Sequence, residues 1–340
     1  MKILVTGGAG FIGSHTVVEL HEAGFEPVIL DNLYNSDREV LNGIKGITGK
    51  DFPFYEIDCN DIEKVRAVFE KEKFDGVIHF AAYKAVGESV EKPLAYYENN
   101  ILSLIILLKV MKEYNVDKFV FSSSCTVYGQ PDALPVTEST PRKPATSPYG
   151  NTKAIAEDII RDHVHAAPGI KAISLRYFNP IGAHKTSLIG ELPNGVPSNL
   201  VPFITQTAAG LRKSLTVFGS DYDTADGTCV RDFIHVVDLA KAHVKALLLL
   251  DEQSEKNYYD VFNVGTGQGY TVLELINTFE KVTGEKLNYS IGPRREGDVE
   301  KIYAQSDKVN SIMKWNAEKN MADALLDAWN WQLKLTSKNK

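Results

Sequence analysis

The chain reads as a doubly wound α/β fold, a parallel sheet covered by helices on both faces, with a smaller C-terminal α/β domain. Three observations predict it. The first half alternates short apolar segments with helix-length ones. The short segments are apolar on both sides, as strands buried on both faces of a parallel sheet must be. A glycine-rich turn separates the first apolar segment from the first helical one.

Met1–Thr6 is β-branched and apolar and forms the first strand. Phe11–Ala23 has helical spacing, and Gly24 suits the left-handed turn that ends a helix. Pro27–Asp31 is a second strand. Ile62–Lys71 is helical, Val77–Ala82 a strand, Leu94–Tyr114 a long helix, and Lys118–Ser123 and Ala172–Tyr177 further strands. Right-handed crossovers join these into one doubly wound sheet. After Asn179 the character changes. Pro180–Gly227 is rich in Gly, Pro, Asn and Ser and reads as loops around one helix, Leu200–Leu211. Val236–Leu250 is helical, and Val261–Val264 is a strand that returns to the main sheet. The predicted domains are 1–179 and 180–336, the second placed over a cleft. There is no internal repeat, and the tail Ser337–Lys340 is expected to fray.

The 340 residues include 37 Lys and Arg against 44 Asp and Glu, for a net charge of −7. At this length folding buries about three quarters of the chain's surface, enough for a substantial core. Hydrophobic residues at 44% and charged residues at 24% exclude a disordered, collagen-like or disulfide-scaffold protein. The acidic balance argues against a nucleic-acid or membrane-surface binder. Three cysteines, Cys59, Cys125 and Cys229, have no metal-ligand spacing and suit a reducing compartment. No signal peptide is read after Lys2, and the longest apolar run, Ile101–Leu108, is too short to span a bilayer. The expectation is a cytoplasmic protein without a bound metal.

Glycines fall at Gly7, Gly10 and Gly13, between predicted strand and helix. A pyrophosphate can approach the backbone of such a turn, and the helix N-terminus adds partial positive charge. Asp31 ends the second strand 18 residues after Gly13. A carboxylate there accepts hydrogen bonds from an adenosine ribose and repels a 2′-phosphate, which favours NAD over NADP. Farther on, Ser147 suits a helix N-cap and Pro148 the first helical position. Tyr149 and Lys153 then share one helix face. A phenol titrates near 10, so a base working near neutrality needs a shift of about 3 units. A neighbouring ammonium, the helix N-terminus and a nicotinamide cation each contribute to it. The run Ser122-Ser123-Ser124 leads to the sheet's C-terminal edge, where hydroxyls face the ligand crevice of such folds. One of them suffices for a substrate oxygen, and the others cap the following turn.

Together Gly7-x-x-Gly10-x-x-Gly13, Asp31, the serine run and Tyr149-x-x-x-Lys153 resemble the extended short-chain dehydrogenase/reductase family, with a Rossmann-type sheet. Narrower motifs resemble those members that invert C4 of a UDP-hexose. These are Lys84-Ala85-Val86-Gly87-Glu88-Ser89, Arg176-Tyr177-Phe178-Asn179-Pro180, Val230-Arg231-Asp232-Phe233-Ile234-His235-Val236 and Arg294-Arg295-Glu296-Gly297-Asp298. The similarity runs from Met1 to about Trp331. It implies an NAD-dependent isomerase that interconverts UDP-galactose and UDP-glucose through a 4-ketone, with a homodimeric assembly. A variant acting on UDP-N-acetylglucosamine and UDP-N-acetylgalactosamine, or on both pairs, is the alternative.

The resemblance also implies roles. Tyr149 is the base, Lys153 tunes it and holds the nicotinamide ribose, and Ser124 bonds the sugar 4-oxygen. The NAD site is expected at Gly7, Gly10, Phe11, Ile12, Gly13, Asp31, Asn32, Asp58, Cys59, Phe80, Ala81, Lys84, Asn99, Ser122, Tyr149, Lys153 and Tyr177. The UDP-sugar is expected against Lys84, Ser124, Tyr149, Phe178, Asn179, Asn199, Leu200, Phe218, Arg231, Arg295, Asp298 and Ile302. The C4 hydrogen of a hexose is not acidic, so inversion requires hydride removal and return on the other face. The sugar must turn over between the two transfers, which places the strong contacts on the nucleotide.

Tyr83, Cys125 and Cys229 depart from the family's more frequent residues. Cys125 has no paired base and reads as packing. Ile302, intermediate in size, stands where in the family a bulky Tyr is associated with rejecting N-acetylated sugars and a small residue with accepting them. A 4,6-dehydratase would need an acidic pair after Ser124, where Cys125 and Thr126 stand. A uronate decarboxylase lacks its motifs here. A silent NAD sensor has no reason to keep Ser124, Tyr149 and Lys153 together. Helices Leu94–Tyr114 and Thr152–His165 offer a surface for a two-fold axis, although Ile101, Leu104, Ile105 and Leu108 on pattern cover the sheet.

Overall fold

The computed structural model describes residues 1–338 except 167, 296 and 297. Glu296 and Gly297 of the arginine motif, and Asn339 and Lys340 of the tail, lie outside the described residues.

Alternation of apolar side chains along each strand builds the main sheet. Seven parallel strands lie in it: β1 (Lys2–Thr6), β2 (Glu26–Asp31), β3 (Phe54–Glu56), β4 (Gly76–His79), β5 (Lys118–Ser124), β6 (Lys171–Tyr177) and, from the chain's second half, a strand at Tyr258–Val264. The spatial order is Tyr258–Val264, β6, β5, β4, β1, β2, β3. Ile3, Val5, Ile29, Ile78, Val120 and Ile173 face one core, while Leu4, Val28, Leu30, Val77, Phe119 and Ala172 face the other. The first core is closed by α1 (Phe11–Glu22), through Val17, Val18 and Leu20, and by Leu239 and Leu247 from a later helix. Following α2 (Glu39–Thr48), the helices α3 (Ile62–Glu72), α4 (Val86–Glu91), α5 (Pro93–Glu113) and α6 (Pro148–Ala166) come in turn. Val65, Phe69, Leu104, Leu108, Ala156 and Ile160, from α3, α5 and α6, close the second core. By length and composition α5 could cross a membrane, but half of its apolar window is buried inside the protein.

The expected strand at Val77–Ala82 ends at His79. Phe80 still donates its N–H to Thr6 O (3.0 Å). Ala81 then passes over Gly7, and the chain leaves the sheet to wall the cleft.

The second half contributes β7 (Asn179–Ile181), α7 (Leu200–Ala208), β8 (Leu215–Phe218), β9 (Val230–Arg231), β10 (Phe233–His235), α8 (Val236–Glu252), β11 (Tyr258–Val264), β12 (Tyr270–Thr271), α9 (Val272–Thr283), β13 (Tyr289–Gly292), β14 (Lys301–Ile302), α10 (Asp307–Ile312) and α11 (Met321–Lys338). α8 and β11 belong to the sheet layer, with α8 supplying Leu239 and Leu247 to its core. The rest forms small sheets: β10 with β7, β12–β9–β14, and β13 with β8. α7, α9 and α11 bury Ile204, Phe279, Leu325 and Trp329 against them. Pro180–Gly227 therefore holds two strands as well as its helix. α7 stops at Ala208, short of Leu211, because Gly210 turns to φ +75° and Leu211 N–H closes the helix on Gln206 O (2.9 Å).

Candidate active site

Strand order reverses between β1 and β4, and ligands of open α/β sheets bind above such a point. A cavity of about 1170 Å³ opens there, between the carboxyl ends of the strands and the second layer. It is larger than a single drug-sized ligand needs (roughly 300–1,000 Å³).

The glycine turn forms one end. Gly7 has φ +67°, and a Cβ on it would lie 2.8 Å from Ala81 N. A Cβ on Gly13 would lie 2.2 Å from Gly7 O. Gly10 is the N-cap of α1 with an ordinary φ of −76°. A Cβ there meets only Gly7 O, at 3.1 Å. Gly7 and Gly13 thus fold the turn, and Gly10 leaves its open side to the cleft. Asp31, at the end of β2, accepts Ala9 N–H on Oδ2 (3.0 Å) and Leu33 N–H and Ser36 Oγ on Oδ1 (both 2.9 Å). Burial raises its pKa, and these three bonds oppose the rise. Asn32 donates to Asp58 Oδ2 (3.0 Å), and Asn99 Oδ1 accepts from Asn60 (3.0 Å). Phe80 packs on His243, whose Nε2 meets the Tyr177 hydroxyl at 2.5 Å.

The polar end lies on α6 and β5. Ser147 Oγ accepts Gly150 N–H (3.2 Å) and Pro148 opens the helix, which puts Tyr149 and Lys153 on the face turned to β5. Lys153 is buried and donates from Nζ to Ser122 O at 2.6 Å. The ammonium also sits 4.9 Å from the Phe121 ring centroid and 5.8 Å from that of Tyr149. Burial drives the lysine down to about 7, with Glu157 pulling the other way. Desolvation likewise drives the Tyr149 phenol up to about 12; the neighbouring Cys125 adds to the rise and the nearby Ser124 hydroxyl opposes it. Each group thus destabilises its charged form alone, and ionising one favours ionising the other. Ser124 Oγ accepts Thr126 N–H (3.2 Å), which leaves its proton for a ligand.

Ser123 points elsewhere. Its hydroxyl donates to Glu157 Oε1 (2.5 Å), and Glu157 takes a bidentate grip from Arg176 (2.9 and 2.7 Å). Cys59, Cys125 and Cys229 are buried free thiols; burial pushes the Cys125 thiol up to about 12 and Cys59 higher still. That makes Cys125 inert.

Every residue expected around NAD lines this cleft, as do Phe178, Asn179, Asn199 and Arg295 among those expected around the UDP-sugar. Five expected residues do not wall it. Leu200 borders a small adjoining cavity with Asn179 and Asn199. Phe218 is exposed at the end of β8. Arg231 turns its guanidinium to Val230 O (2.9 Å) and to Asp298, 3.7 Å away. Ile302 pairs with Arg231 across β14 and β9, and is buried with Cys125, Val127 and Phe178. The structure adds residues that the motifs did not single out. Glu191 bridges Lys84 (3.2 Å) and Asn199 (2.6 Å) at the cleft wall. Asn100 ties Tyr83 to Thr152 on α6. Glu157 was readable as the next step of the four-residue spacing that joins Tyr149 to Lys153; nothing local marks Glu191.

Comparison with known proteins agrees with this geometry. A family model described as the NAD dependent epimerase/dehydratase family matches residues 3–265. The UDP-glucose 4-epimerase of Bacillus subtilis (strain 168) is 51% identical over 333 residues, covering 98% of this chain and 97% of that protein. The crystal structure of the Bifidobacterium longum UDP-glucose 4-epimerase, in complex with NAD+ and UDP, superposes with a TM-score of 0.94 at 48% identity, covering 98% of each chain. The Stenotrophomonas maltophila UDP-glucose-4-epimerase, with bound NAD and formylated UDP-arabinopyranose, gives 0.96 at 45% identity, covering 99% of each. A matching family model over most of the chain and relatives alike along nearly their whole length leave one assignment: the chain belongs to the NAD dependent epimerase/dehydratase family.

Proposed function

We propose that the chain inverts C4 of a UDP-hexose, interconverting UDP-galactose and UDP-glucose, with NAD as its resident cofactor. The carrying observation is that Ser124, Tyr149 and Lys153 converge on the same cleft as the glycine cradle and Asp31. The cradle fits a dinucleotide, since Gly10 keeps its side to the cleft free of protein atoms beyond Gly7 O. When bound, NAD supplies the hydride acceptor and donor that a non-acidic C4–H requires.

The chain's own residues handle the proton and the geometry. Tyr149 Oη takes the proton of the sugar 4-hydroxyl as the 4-ketone forms, and gives it back as the alcohol is restored. Lys153 stabilises the phenolate from one helical turn away. Ser124 donates its free hydroxyl proton to the 4-oxygen and fixes its distance from Tyr149. Phe178, Asn179, Asn199 and Arg295 hold the nucleotide side, so the 4-keto sugar can present its other face. Residues 1–179 with 236–264 serve the cofactor, and the remaining second-layer segments serve the UDP-sugar.

The test is conversion of the four UDP-hexoses with no cofactor supplied, before and after gel filtration. Activity should survive filtration, and C4 tritium should stay on the sugar. Release of that tritium to solvent refutes the hydride route. A second reading, some turnover of N-acetylated UDP-sugars beside the main pair, rests on Ile302, intermediate in size between a tyrosine and a small residue and buried with Cys125 and Phe178 next to the cleft. Undetectable kcat/KM for UDP-N-acetylgalactosamine beside UDP-galactose rejects it. The three buried free thiols support a reducing compartment. Leu94 and Leu102, exposed on α5, support a two-fold homodimer through α5 and α6, testable by sedimentation at micromolar concentration.

A further inference from the structure

We propose that Glu157 is a positioning residue for the Tyr149–Lys153 pair, held by Arg176 and Ser123, so that Lys153 and Glu157, one turn apart on α6, lock onto consecutive serines of β5. The register is direct. Lys153 Nζ meets the Ser122 carbonyl at 2.6 Å and Glu157 Oε1 meets the Ser123 hydroxyl at 2.5 Å, while Tyr149 and Ser124 line the same cleft. Arg176, on the neighbouring strand β6, grips both oxygens of Glu157 and also donates to the Tyr128 hydroxyl (2.9 Å). Ser123, Glu157 and Arg176 are all buried.

A buried ion pair is weak evidence for stability, because apolar residues of the same volume often serve as well. Its place argues for another role. Lys153 is charged only at a cost here, and Glu157 is the carboxylate that offsets it. Among the described residues, Glu157 is the one charged group that acts on Lys153, and the titratable groups nearby are uncharged near neutral pH. His79 on β4 is buried and neutral, driven down to about 3. Tyr177 on β6 and Cys125 beyond β5 are both pushed toward their neutral forms, and His243 of α8, driven down to about 3, is neutral too. Arg176 adds positive charge, which Glu157 compensates. Glu157 thus fixes where α6 sits and favours the protonated form of the lysine beside Tyr149.

This rests on the epimerase reading, and wild-type conversion of UDP-galactose is checked first, since its absence would remove that reading and not the role of Glu157. The experiment compares wild-type and Glu157→Gln holoenzymes in two measurements. The first is the pH profile of kcat for UDP-galactose. The second is the ultraviolet titration of the Tyr149 phenolate, taken as the difference from the same protein carrying Tyr149→Phe. Losing the carboxylate while Arg176 stays charged should move the alkaline limb down by about 1 to 2 pH units. The phenolate titration should move the opposite way, upward, because a neutral Lys153 no longer stabilises the phenolate, with KM unchanged. A folded Glu157→Gln protein with both profiles superimposed on wild type overturns the proposal, whatever its rate. If Glu157→Gln yields no folded protein, Ser123→Ala decides. It keeps every charge and removes one grip, so kcat should fall by roughly 3- to 10-fold at unchanged KM. A wild-type kcat then refutes the positioning role.

Discussion

The three glycines of the turn are not interchangeable, and alanine substitution separates their duties. At Gly13 the added methyl would stand 2.2 Å from Gly7 O and 2.8 Å from Gly8 Cα. Both are backbone atoms, and the first distance is more than 1 Å inside ordinary contact, at roughly 3.5–4.0 Å. The start of α1 must therefore lift away from the turn. Overpacking of this kind costs about 3 kcal/mol or more. With about 2 cal/mol/K of unfolding entropy per residue, each kcal/mol lowers Tm by about 1.5 °C in a chain this long. Gly13→Ala should thus lose about 4 °C or more in NAD-free protein. At Gly10 the methyl meets one atom at 3.1 Å, and the backbone angle suits alanine. Gly10→Ala should stay within about 1 kcal/mol of wild type. Its methyl projects into the cleft, so bound NAD per chain should drop severalfold. Scanning calorimetry without ligand and cofactor stoichiometry by mass spectrometry read the two effects. A Gly10→Ala protein less stable than Gly13→Ala, or one that keeps full NAD, would refute this division.

Tyr149→Phe removes only the hydroxyl, so kcat for UDP-galactose should fall by several orders of magnitude while NAD stays bound; an unfolded product would make the tyrosine structural. Asp31→Asn replaces one acceptor oxygen with a donor, so either Ala9 or the Leu33–Ser36 pair loses its partner. NAD affinity should fall and that for NADP should rise relative to it in titration calorimetry, and an unaltered ratio would sink that reading of the carboxylate. Cys125 should resist alkylation by iodoacetamide at pH 8 in native protein, since its thiol is buried and held far from ionisation; rapid stoichiometric labelling would contradict its packing role.

The sheet layer was legible because its signals are local. The glycine turn, the Ser147–Pro148 helix start and the short apolar strands each declare themselves within a few residues. The second layer was not. Its strands β9, β12 and β14 have two residues each, too few for any period to register. They exist because Arg231 meets Tyr270 and Ile302 across long stretches of chain. The placing of Arg231, Asp298 and Ile302 beside the cleft, and not in its wall, depends on that pairing. Two helices there do carry readable signals: the Thr271-x-x-Glu274 capping box of α9, and the Met321, Ala324, Leu325, Ala328, Trp329 spacing of α11. The serine run shows the opposite limit. Composition marks Ser122, Ser123 and Ser124 as one polar loop, whereas strand alternation gives Ser123 to Glu157 and Ser124 to the cleft.

The site's chemistry also has a stability cost that can be measured at Lys153. Its pKa falls from 10.5 to about 7 on folding, chiefly through burial. Between those values the unfolded chain binds a proton that the NAD-free folded chain does not, so stability rises with pH across this window. Below about 7 the lysine is charged in both states and the full penalty remains. Above 10.5 it is neutral in both and the penalty is gone. Lys153→Met removes the charge but also the bond to Ser122 O, so the net gain at pH 7 should be roughly 2 to 4 kcal/mol. That is about 3 to 6 °C in Tm. The gain should be largest below pH 7 and shrink as pH climbs toward 10. Catalysis should be lost in the same variant, because the phenolate of Tyr149 then has no ammonium beside it. A Lys153→Met protein, free of NAD, that melts at or below the wild-type temperature at neutral pH would mean that the lysine is accommodated without penalty. The site would then hold its charge at no expense to the fold.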